Sequence, residues 1–475
     1  MMRSFSFVAA IVAFAGSASA DVVTQWQSVY QDAIRLTGGA PCPVSRGGPM
    51  MSLAMFDAIN SIDAVVDYNS SFQPFTPGLP VPLAGTSREA AAATAAYETL
   101  FPLYGSNPAC AALINNAYAA SLAAIPDGAA KAAGIAHGQS VASSILAFRA
   151  GDGYDADPSY TYGTNPGDFQ LTPDGPNVPA FSPHWGNVTP WGLNTGSQFR
   201  PTTLTDFGSM DNLMHSQAYA DQINGAPGIP GVKELGSRTS ATRTADQTEI
   251  AWFWANDRDG TSKPPGQLVE ISKIVSNQEG LSLSSNARMF ALVNMAMADA
   301  CVAAWDAKYN TPIDLWRPIN AIRETDGAGN PMPDGNPSTI PDSEWLPLND
   351  FTPPFPAYVS GHGTMGAAHA GIMAALFGDN YSFDLGSDEF SVNPGLGYPA
   401  DLTRHFNSFS EAAWENALSR IYLGVHYYWD ALDANILGYQ VANYVFENNL
   451  RPVPAPGMLA LLIPGAALAA RRRRA

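Results

Sequence analysis

Long alanine-rich segments with apolar residues three and four positions apart dominate this 475-residue chain. That spacing places the apolar side chains on one face of an α-helix. The segments run over 24–37, 49–62, 87–101, 110–124 and 127–150, and again over 244–254, 265–279, 284–309, 361–377, 410–423 and 426–448. Alternation of apolar and polar residues, which marks a half-buried strand, is scarce. We therefore predict an all-α fold of helical bundles, and expect two four-helix bundles.

The stretch between the two helical parts has a different composition. Residues 151–243 are dense in Pro, Gly, Asn and aromatic residues, as in Pro183-His184-Trp185-Gly186. Such residues favour turns and loops, so we predict a long irregular excursion with short helices, for example over 211–224. The predicted organisation is an N-terminal helical part over 21–150, the excursion over 151–243, and a C-terminal helical part over 244–452.

Both ends of the chain have the pattern of targeting segments. Residues 1–20 contain one early Arg, an apolar run and Ala18-Ser19-Ala20 before Asp21, which predicts a cleaved secretory signal peptide rather than a buried first helix. Residues 453–475 combine Pro454-Ala455-Pro456, an apolar run too short for a stable membrane span, and four arginines. This tail resembles the bacterial PEP-CTERM sorting signal, and a plain membrane anchor is the alternative. We expect export to the periplasm, cell surface or medium, with membrane contact only through the unprocessed tail.

Charge limits the class of partner. The chain has 24 Lys and Arg against 42 Asp and Glu, a formal net charge of −18. A surface this acidic argues against nucleic acid or an anionic membrane as the main partner. The sequence leaves open a homodimer and a small organic acceptor.

Three cysteines occur, and an exported protein can form disulfides. Cys42 and Cys110 both lie beside Pro in loop-like sequence, so we expect these two to pair. Cys301 lies in an apolar helical stretch, where a small buried side chain is the usual role.

The most informative segment is Ser360-Gly361-His362, which directly precedes a predicted helix. Ser is a preferred N-cap residue, and the free N–H groups and dipole of a helix N-terminus favour an anion. The Ser360 hydroxyl and the Gly361 N–H can donate to one oxyanion, and His362 can serve as an acid or base.

Two further segments add cations and a second histidine. Arg420 and His426 are separated by Gly424, where a helix break would let both face one pocket. Asp430 follows His426 by four positions, so its carboxylate can accept from one ring nitrogen and leave the other as a ligand or nucleophile. With Lys308 and Arg317, the set suits a tetrahedral or trigonal-bipyramidal oxyanion.

The order of these motifs resembles the vanadium-dependent haloperoxidases and the related type 2 phosphatidic acid phosphatases. The matching residues are Lys308, Arg317-Pro318, Ser360-Gly361-His362, Ser419-Arg420, His426 and Asp430. Eight residues separate Lys308 from Arg317, where six or seven are usual, and Val359 replaces a Pro. The similarity extends over nearly the whole chain, and its length favours the haloperoxidases.

The resemblance implies a vanadate cofactor, hydrogen peroxide and a halide as substrates, and hypohalous acid as product, without haem or flavin. It implies His426 as the ligand of vanadium, His362 as the proton-transfer group, Lys308 as the group that polarises peroxide, and Asp430 as a further catalytic residue. The cofactor oxygens would be held by Lys308, Arg317, Ser360, Gly361 and Arg420. Trp305 and Phe355 stand where some family members that oxidise chloride carry Trp and Phe, and where a His in place of the Phe accompanies bromide oxidation.

Two other functions stay open from the sequence. A phosphatase would use the same pocket for phosphate, with His426 as nucleophile and His362 as acid. A non-catalytic envelope protein would carry the sorting tail and leave the pocket idle.

Overall fold

The computed structural model describes residues 21–68, 71–174 and 179–453. The predicted signal peptide and nearly all of the sorting tail lie outside these residues. The N-terminal helices are α1 (Val22–Thr37), α2 (Pro41–Val66), α3 (Arg88–Tyr104), α4 (Pro108–Ala123) and α5 (Ala129–Arg149). Helix α3 packs against α2 and α5, and α4 covers α1 and α3. The predicted all-α class is confirmed.

Helix α2 is longer than predicted. It begins at Pro41, whereas the sequence pattern predicts a start at Pro49. The prediction is wrong because Pro41 occupies the first helical position, where a missing N–H leaves no hydrogen bond unmade. Pro49 then lies inside the helix rather than at its start.

The middle of the chain contains short helices joined by irregular segments. They are α6 (Met210–Met214), α7 (Gln217–Asn224) and α8 (Val232–Leu235). The short helices predicted over 211–224 are α6 and α7, which are separate because Ser216 caps α7 by accepting from the Tyr219 N–H. The Asp299 carboxylate accepts hydrogen bonds from the N–H groups of residues 191, 192 and 193 at 2.6–2.8 Å, which attaches an irregular segment to the core.

The remaining elements hold the site. They are α9 (Ala245–Phe253), α10 (Lys263–Glu279), α11 (Leu283–Tyr309), α12 (Pro318–Arg323), α13 (Gly361–Phe377), β1 (Phe383–Gly386), α14 (Asp388–Val392), β2 (Thr403–Phe406), α15 (Phe409–Tyr422) and α16 (Tyr428–Asn448). The two short strands pair antiparallel, with Phe383 opposite Phe406. The bounds of α13 agree with the prediction.

Helix α11 lies at the centre of the core. It packs against α2 on one side and against α13 and α16 on the other, and nearly all its residues are buried. By length and apolar composition it is the one helix of the described residues that could cross a membrane, but its apolar face is covered by protein. The candidate site lies where its C-terminal end approaches the segment that leads into α13, and where the starts of α13 and α16 are hydrogen-bonded to each other.

The predicted pairing of Cys42 with Cys110 is wrong. All three cysteines are buried and reduced in this structure. Cys110 Sγ lies 3.6 Å from the Ala33 carbonyl oxygen, whereas Cys42 Sγ lies 3.3 Å from Cys301 Sγ. The early start of α2 is the reason, because it places Cys42 in a helical turn packed on α11 rather than in a loop.

Candidate oxyanion-binding site

Lys308 lies in the last turn of α11 and is fully buried. Its Nζ donates to the carbonyl oxygens of Pro356 at 2.6 Å and Ala357 at 3.1 Å. An ammonium group carries three N–H bonds, so one stays available for a ligand. Burial, with repulsion from Arg317, lowers the pKa of Lys308 well below its ordinary value, and Asp430 opposes this.

Arg317 is the N-cap residue of α12 and is fully buried. Its Nε donates to the Phe355 carbonyl at 2.7 Å, and its Nη1 donates to the Val425 carbonyl at 2.6 Å and to His426 Nε2 at 3.1 Å. Burial lowers its pKa to about 10, so the guanidinium stays charged at neutral pH. Arg317 therefore links all three predicted motif segments.

Arg420 lies in the last turn of α15, with its side chain 1% exposed. Its Nη2 donates to Asp257 Oδ2 at 2.8 Å. Burial raises the pKa of Asp257, but the electrostatic interactions with His362 and Arg420 outweigh it, and the net pKa is lowered. Asp257 is therefore ionised, and its carboxylate fixes the position of the Arg420 guanidinium.

Ser360 caps α13 as predicted. Its Oγ accepts from the Gly363 N–H at 3.2 Å, so its own O–H is free to donate to a ligand. The Gly361 N–H lies in the first turn, where a helix leaves N–H groups without intrahelical partners. A Cβ at Gly361 would stand 3.1 Å from the Trp305 ring, so a side chain there would press on that ring.

His426 is held in one tautomer by two neighbours. Its Nδ1 lies 2.8 Å from Asp430 Oδ2, and its Nε2 lies 3.1 Å from Arg317 Nη1. Because a guanidinium only donates, Nε2 carries a lone pair and Nδ1 carries the proton. Burial, then repulsion from Arg317, lowers the pKa of His426 well below its ordinary value. The imidazole is therefore neutral, the form that serves as a ligand or nucleophile.

Asp430 is positioned by the start of α16. Its Oδ2 also accepts from the Tyr427 N–H at 3.1 Å, which closes a capping box around the first turn. Burial raises its pKa, whereas the Tyr427 N–H and Lys308 oppose that rise. The carboxylate touches the ring of His426, so it orients that ring.

His362 lies at the start of α13 with the opposite tautomer. Its Nε2 lies 3.1 Å from the Ala255 carbonyl, so Nε2 must donate and Nδ1 carries the lone pair. Asp257 Oδ1 lies 3.8 Å from the same nitrogen. Burial, with repulsion from Arg420, lowers the pKa of His362 to about 4, against the effect of Asp257. The neutral ring is suited to accept a proton.

Three buried guanidinium nitrogens have no hydrogen-bond partner among the described residues. They are Arg317 Nη2, Arg420 Nε and Arg420 Nη1. Unpaired buried donors are rare in native proteins and point to a missing ligand. Planar donors beside a lysine and a helix N-terminus match the oxygens of an anion such as vanadate or phosphate.

A cavity of about 300 Å³ is lined by Gly361, His362, Arg420 and His426 of this site, whereas Lys308, Arg317 and Ser360 are not among its lining residues. Its lining combines polar site residues with an apolar wall: Gly39, Ala40, Pro41, Phe181, Asp257, Asp259, Lys263, Pro264, Trp305, Phe351, Pro353, Pro354, Phe355, Gly361, His362, Met365, Arg420 and His426. The rings of Trp305 and Phe355 are in contact, with centroids 5.0 Å apart. Phe355 also lies 4.9 Å from Lys308 Nζ and 4.7 Å from Arg317 Cζ.

The structure thus brings together every motif residue singled out from the sequence, together with both predicted halide-pocket aromatics. Asp257 and Lys263 also line the cavity, and neither is among the site residues predicted from the sequence. Their only local signal is the acidic run Asp257-Arg258-Asp259 between two helices, which is common in surface loops. His369 lies about two turns after His362 on α13, where its Nε2 is 3.0 Å from Ser272 Oγ.

Known proteins resemble this chain in sequence and in fold. The family model for the VCPO second helical-bundle domain matches residues 288–453. A vanadium chloroperoxidase from Curvularia inaequalis is 30% identical over 483 aligned residues, covering 84% of this chain and 76% of that relative.

Solved structures show the same fold. A bacterial vanadium-dependent iodoperoxidase superposes with a TM-score of 0.71 at 23% identity, covering 91% of this chain and 97% of the other. A holo-type bacterial vanadium-dependent chloroperoxidase superposes with a TM-score of 0.67 at 16% identity, covering 92% and 98%. With the curated relative similar over most of both sequences, the chain belongs to the vanadium haloperoxidase family.

Proposed function

We propose that this protein is an exported haloperoxidase that oxidises bromide, and also chloride, with hydrogen peroxide to hypohalous acid. Family membership makes vanadate the cofactor, and hydrogen peroxide and a halide the substrates. The unpaired guanidinium nitrogens beside the neutral His426 are the observation that carries the assignment of the site. They fit an oxyanion that also accepts a bond from one imidazole.

The proposed holding groups follow from the geometry. His426 Nε2 would be the ligand of vanadium, because the Asp430 bond at Nδ1 leaves the lone pair on Nε2, which accepts from Arg317 Nη1 in this structure. The oxygens are held by Lys308, Arg317, Ser360, Gly361 and Arg420. Three buried cations offset the negative charge of vanadate, and because the pocket excludes water their attraction is not screened.

When bound, vanadate supplies a Lewis-acid centre at which hydrogen peroxide is activated towards halide. His362 moves the protons through Nδ1, because Nε2 is committed to the Ala255 carbonyl. Two N–H groups of Lys308 are bonded to backbone carbonyls, and the third would donate to an oxygen atom of the peroxide and draw electron density from it. Asp430 keeps the His426 ring in the tautomer that the metal needs.

The halide site is proposed at Trp305 and Phe355. Both line the cavity, and their rings present apolar surface close to two cations. A weakly hydrated anion is favoured where cations adjoin an apolar wall, since little polar surface competes for it. This arrangement suits a halide ion, and the resemblance of Trp305 and Phe355 to the aromatics of some family members that oxidise chloride supports chloride as well as bromide.

Replacement of His426 tests the function. We expect His426→Ala to lose vanadate retention and bromination with peroxide, whereas His405→Ala keeps both because His405 is exposed on β2. In the parent protein, bromination should require vanadate and be suppressed by phosphate. Full bromination by His426→Ala would contradict the assignment. Hydrolysis of a phosphate ester without bromination would favour a phosphatase.

Replacement of Phe355 tests the halide assignment. We expect Phe355→His, which changes the ring beside Lys308, to lower the ratio of chloride to bromide oxidation, because family members with a His at this position oxidise bromide and some with a Phe oxidise chloride. Phe351→His is the matched control, since Phe351 lines the same cavity, whereas it is Phe355 whose ring lies against Lys308 and Arg317. An unchanged ratio in Phe355→His, with both variants folded, would refute the halide site.

Export is proposed from the two terminal segments. Asp21, which follows the predicted cleavage position, caps α1 by accepting from the Thr24 N–H at 3.0 Å and accepts from Asn286 Nδ2 at 2.9 Å. Cleavage before Asp21 therefore leaves the cap of the first helix intact. We expect protein recovered outside the cytoplasm to begin at Asp21, as read by terminal sequencing. Recovery of uncleaved protein only from the cytoplasm would contradict export.

A further inference from the structure

Two buried thiols from distant parts of the chain lie in contact. Cys42 Sγ and Cys301 Sγ are 3.3 Å apart, both residues are 0% exposed, and 259 positions separate them in the sequence. Cys110 is equally buried but faces the Ala33 carbonyl rather than a thiol. The contact between Cys42 and Cys301 is thus specific within the described residues.

This pair adjoins the wall of the active-site cavity. Cys42 follows Pro41, which lines that cavity, and the neighbouring segment 39–41 lines it too. Cys301 lies on α11 seven positions before Lys308, which places both on one face of the helix. A covalent link here would attach the start of α2 to the helix that carries Lys308.

We propose that Cys42 and Cys301 form a disulfide, with hydrogen peroxide, the substrate of this enzyme, as the oxidant. The sulfur atoms of a disulfide are about 2.05 Å apart, so they must approach by roughly 1.3 Å. Cys42 lies in the first turn of α2, where few intrahelical bonds hold the backbone, so a shift of this size is local.

The chemistry balances with one molecule of peroxide. The Cys42 thiolate attacks one peroxide oxygen, the O–O bond breaks, and water leaves with the thiol proton and the second oxygen. The Cys301 thiol then attacks the resulting sulfenic sulfur, an S–S bond forms, the S–O bond breaks, and a second water leaves. Two thiols lose two electrons in total, and peroxide is reduced to two molecules of water.

Access and reactivity both follow from the surroundings. Peroxide enters the cavity as substrate and reaches its wall at Pro41, next to Cys42. Burial and the adjacent Cys301 raise the pKa of Cys42, while Lys308 opposes the rise, so the thiolate is a minor species. The bridge therefore forms over prolonged exposure to peroxide rather than in each turnover.

Peptide mapping of the full-length protein tests the proposal directly. Reduced protein is incubated with hydrogen peroxide to completion, acid-quenched, denatured, alkylated and digested without reductant. We expect the Cys42 and Cys301 peptides joined with the loss of two hydrogens, and the Cys110 peptide alkylated. Free alkylated Cys42 and Cys301, a bridge to Cys110, or oxidation that stops at a sulfinic acid would each overturn the proposal.

Thermal unfolding gives a second measurement. The bridge closes a very long loop, so the oxidised parent should melt roughly 2–5 °C above the reduced form. Cys110→Ser should keep this difference, and Cys42→Ser and Cys301→Ser should lose it. An equal difference in Cys42→Ser would overturn the proposal. Both experiments use protein without vanadate or halide, so their outcome is independent of the test of haloperoxidase activity.

Discussion

Arg317→Lys isolates the contribution of guanidinium shape to vanadate binding, because it preserves the charge. Arg317 uses Nε and Nη1 on the Phe355 and Val425 carbonyls and on His426, and its Nη2 has no partner among the described residues. A lysine ammonium cannot reach the two carbonyls and the anion together. One charge-assisted hydrogen bond contributes about 1.5–3 kcal/mol. We therefore expect the Kd for vanadate to rise by roughly 10–150-fold.

Calorimetric titration of vanadate into the folded variant measures this change. Arg323→Lys is the matched control, because Arg323 ends the same helix and donates to the Trp345 carbonyl at 2.7 Å, away from the site. Arg317→Lys should also lower the free energy of unfolding by about 1–3 kcal/mol, because a buried carbonyl loses its donor. The titration is therefore run well below the melting temperature of this variant. A Kd of Arg317→Lys for vanadate within about twofold of the parent value, with the Kd of the control unchanged, would refute the role of the guanidinium shape.

Three further predictions concern the proton path and the core. His362→Ala should lower kcat for bromination by about 10²–10⁴-fold and leave vanadate bound, because it removes the proton acceptor and not a ligand; loss of vanadate binding in equilibrium dialysis would contradict this. Asp257 raises the pKa of His362, which is about 4, so Asp257→Asn should lower that pKa and move the acidic limb of kcat/KM for peroxide to lower pH; a limb that stays or rises would refute the coupling. Asp299→Ala should lower the free energy of unfolding in urea by about 3–6 kcal/mol, as three N–H groups lose their acceptor, whereas exposed Asp155→Ala should change it little.

Local patterns in the sequence are enough to predict many features of the site. The Ser360-Gly361 step is a strong helix start, and both the cap and the bounds of α13 agree with the structure. The break at Gly424, with φ +81°, separates α15 from α16 and lets Arg420 and His426 face one pocket. These features depend on residues close in sequence, which is why periodicity and capping preferences suffice to predict them.

Contacts between distant segments were beyond such reasoning. Asp257 meets Arg420 across 163 positions, and Cys42 meets Cys301 rather than Cys110, because helix packing decides both pairs. The spacing between Lys308 and Arg317 illustrates the same point. Each is fixed by backbone carbonyls of other segments, so the connecting loop 310–316 can take up an extra residue without moving either cation.

The composition of the cavity wall affects how long the enzyme stays active in the presence of its product, hypohalous acid. Proline, phenylalanine, glycine and alanine form much of that wall, and hypohalous acid attacks their side chains slowly. The lining also contains Trp305, Lys263 and two histidines, which react with it, but the thioether of Met365 takes up oxygen most readily and becomes polar. Oxidative inactivation during turnover should therefore begin at Met365. The number of turnovers before inactivation would then be set by a side chain that takes no part in the reaction.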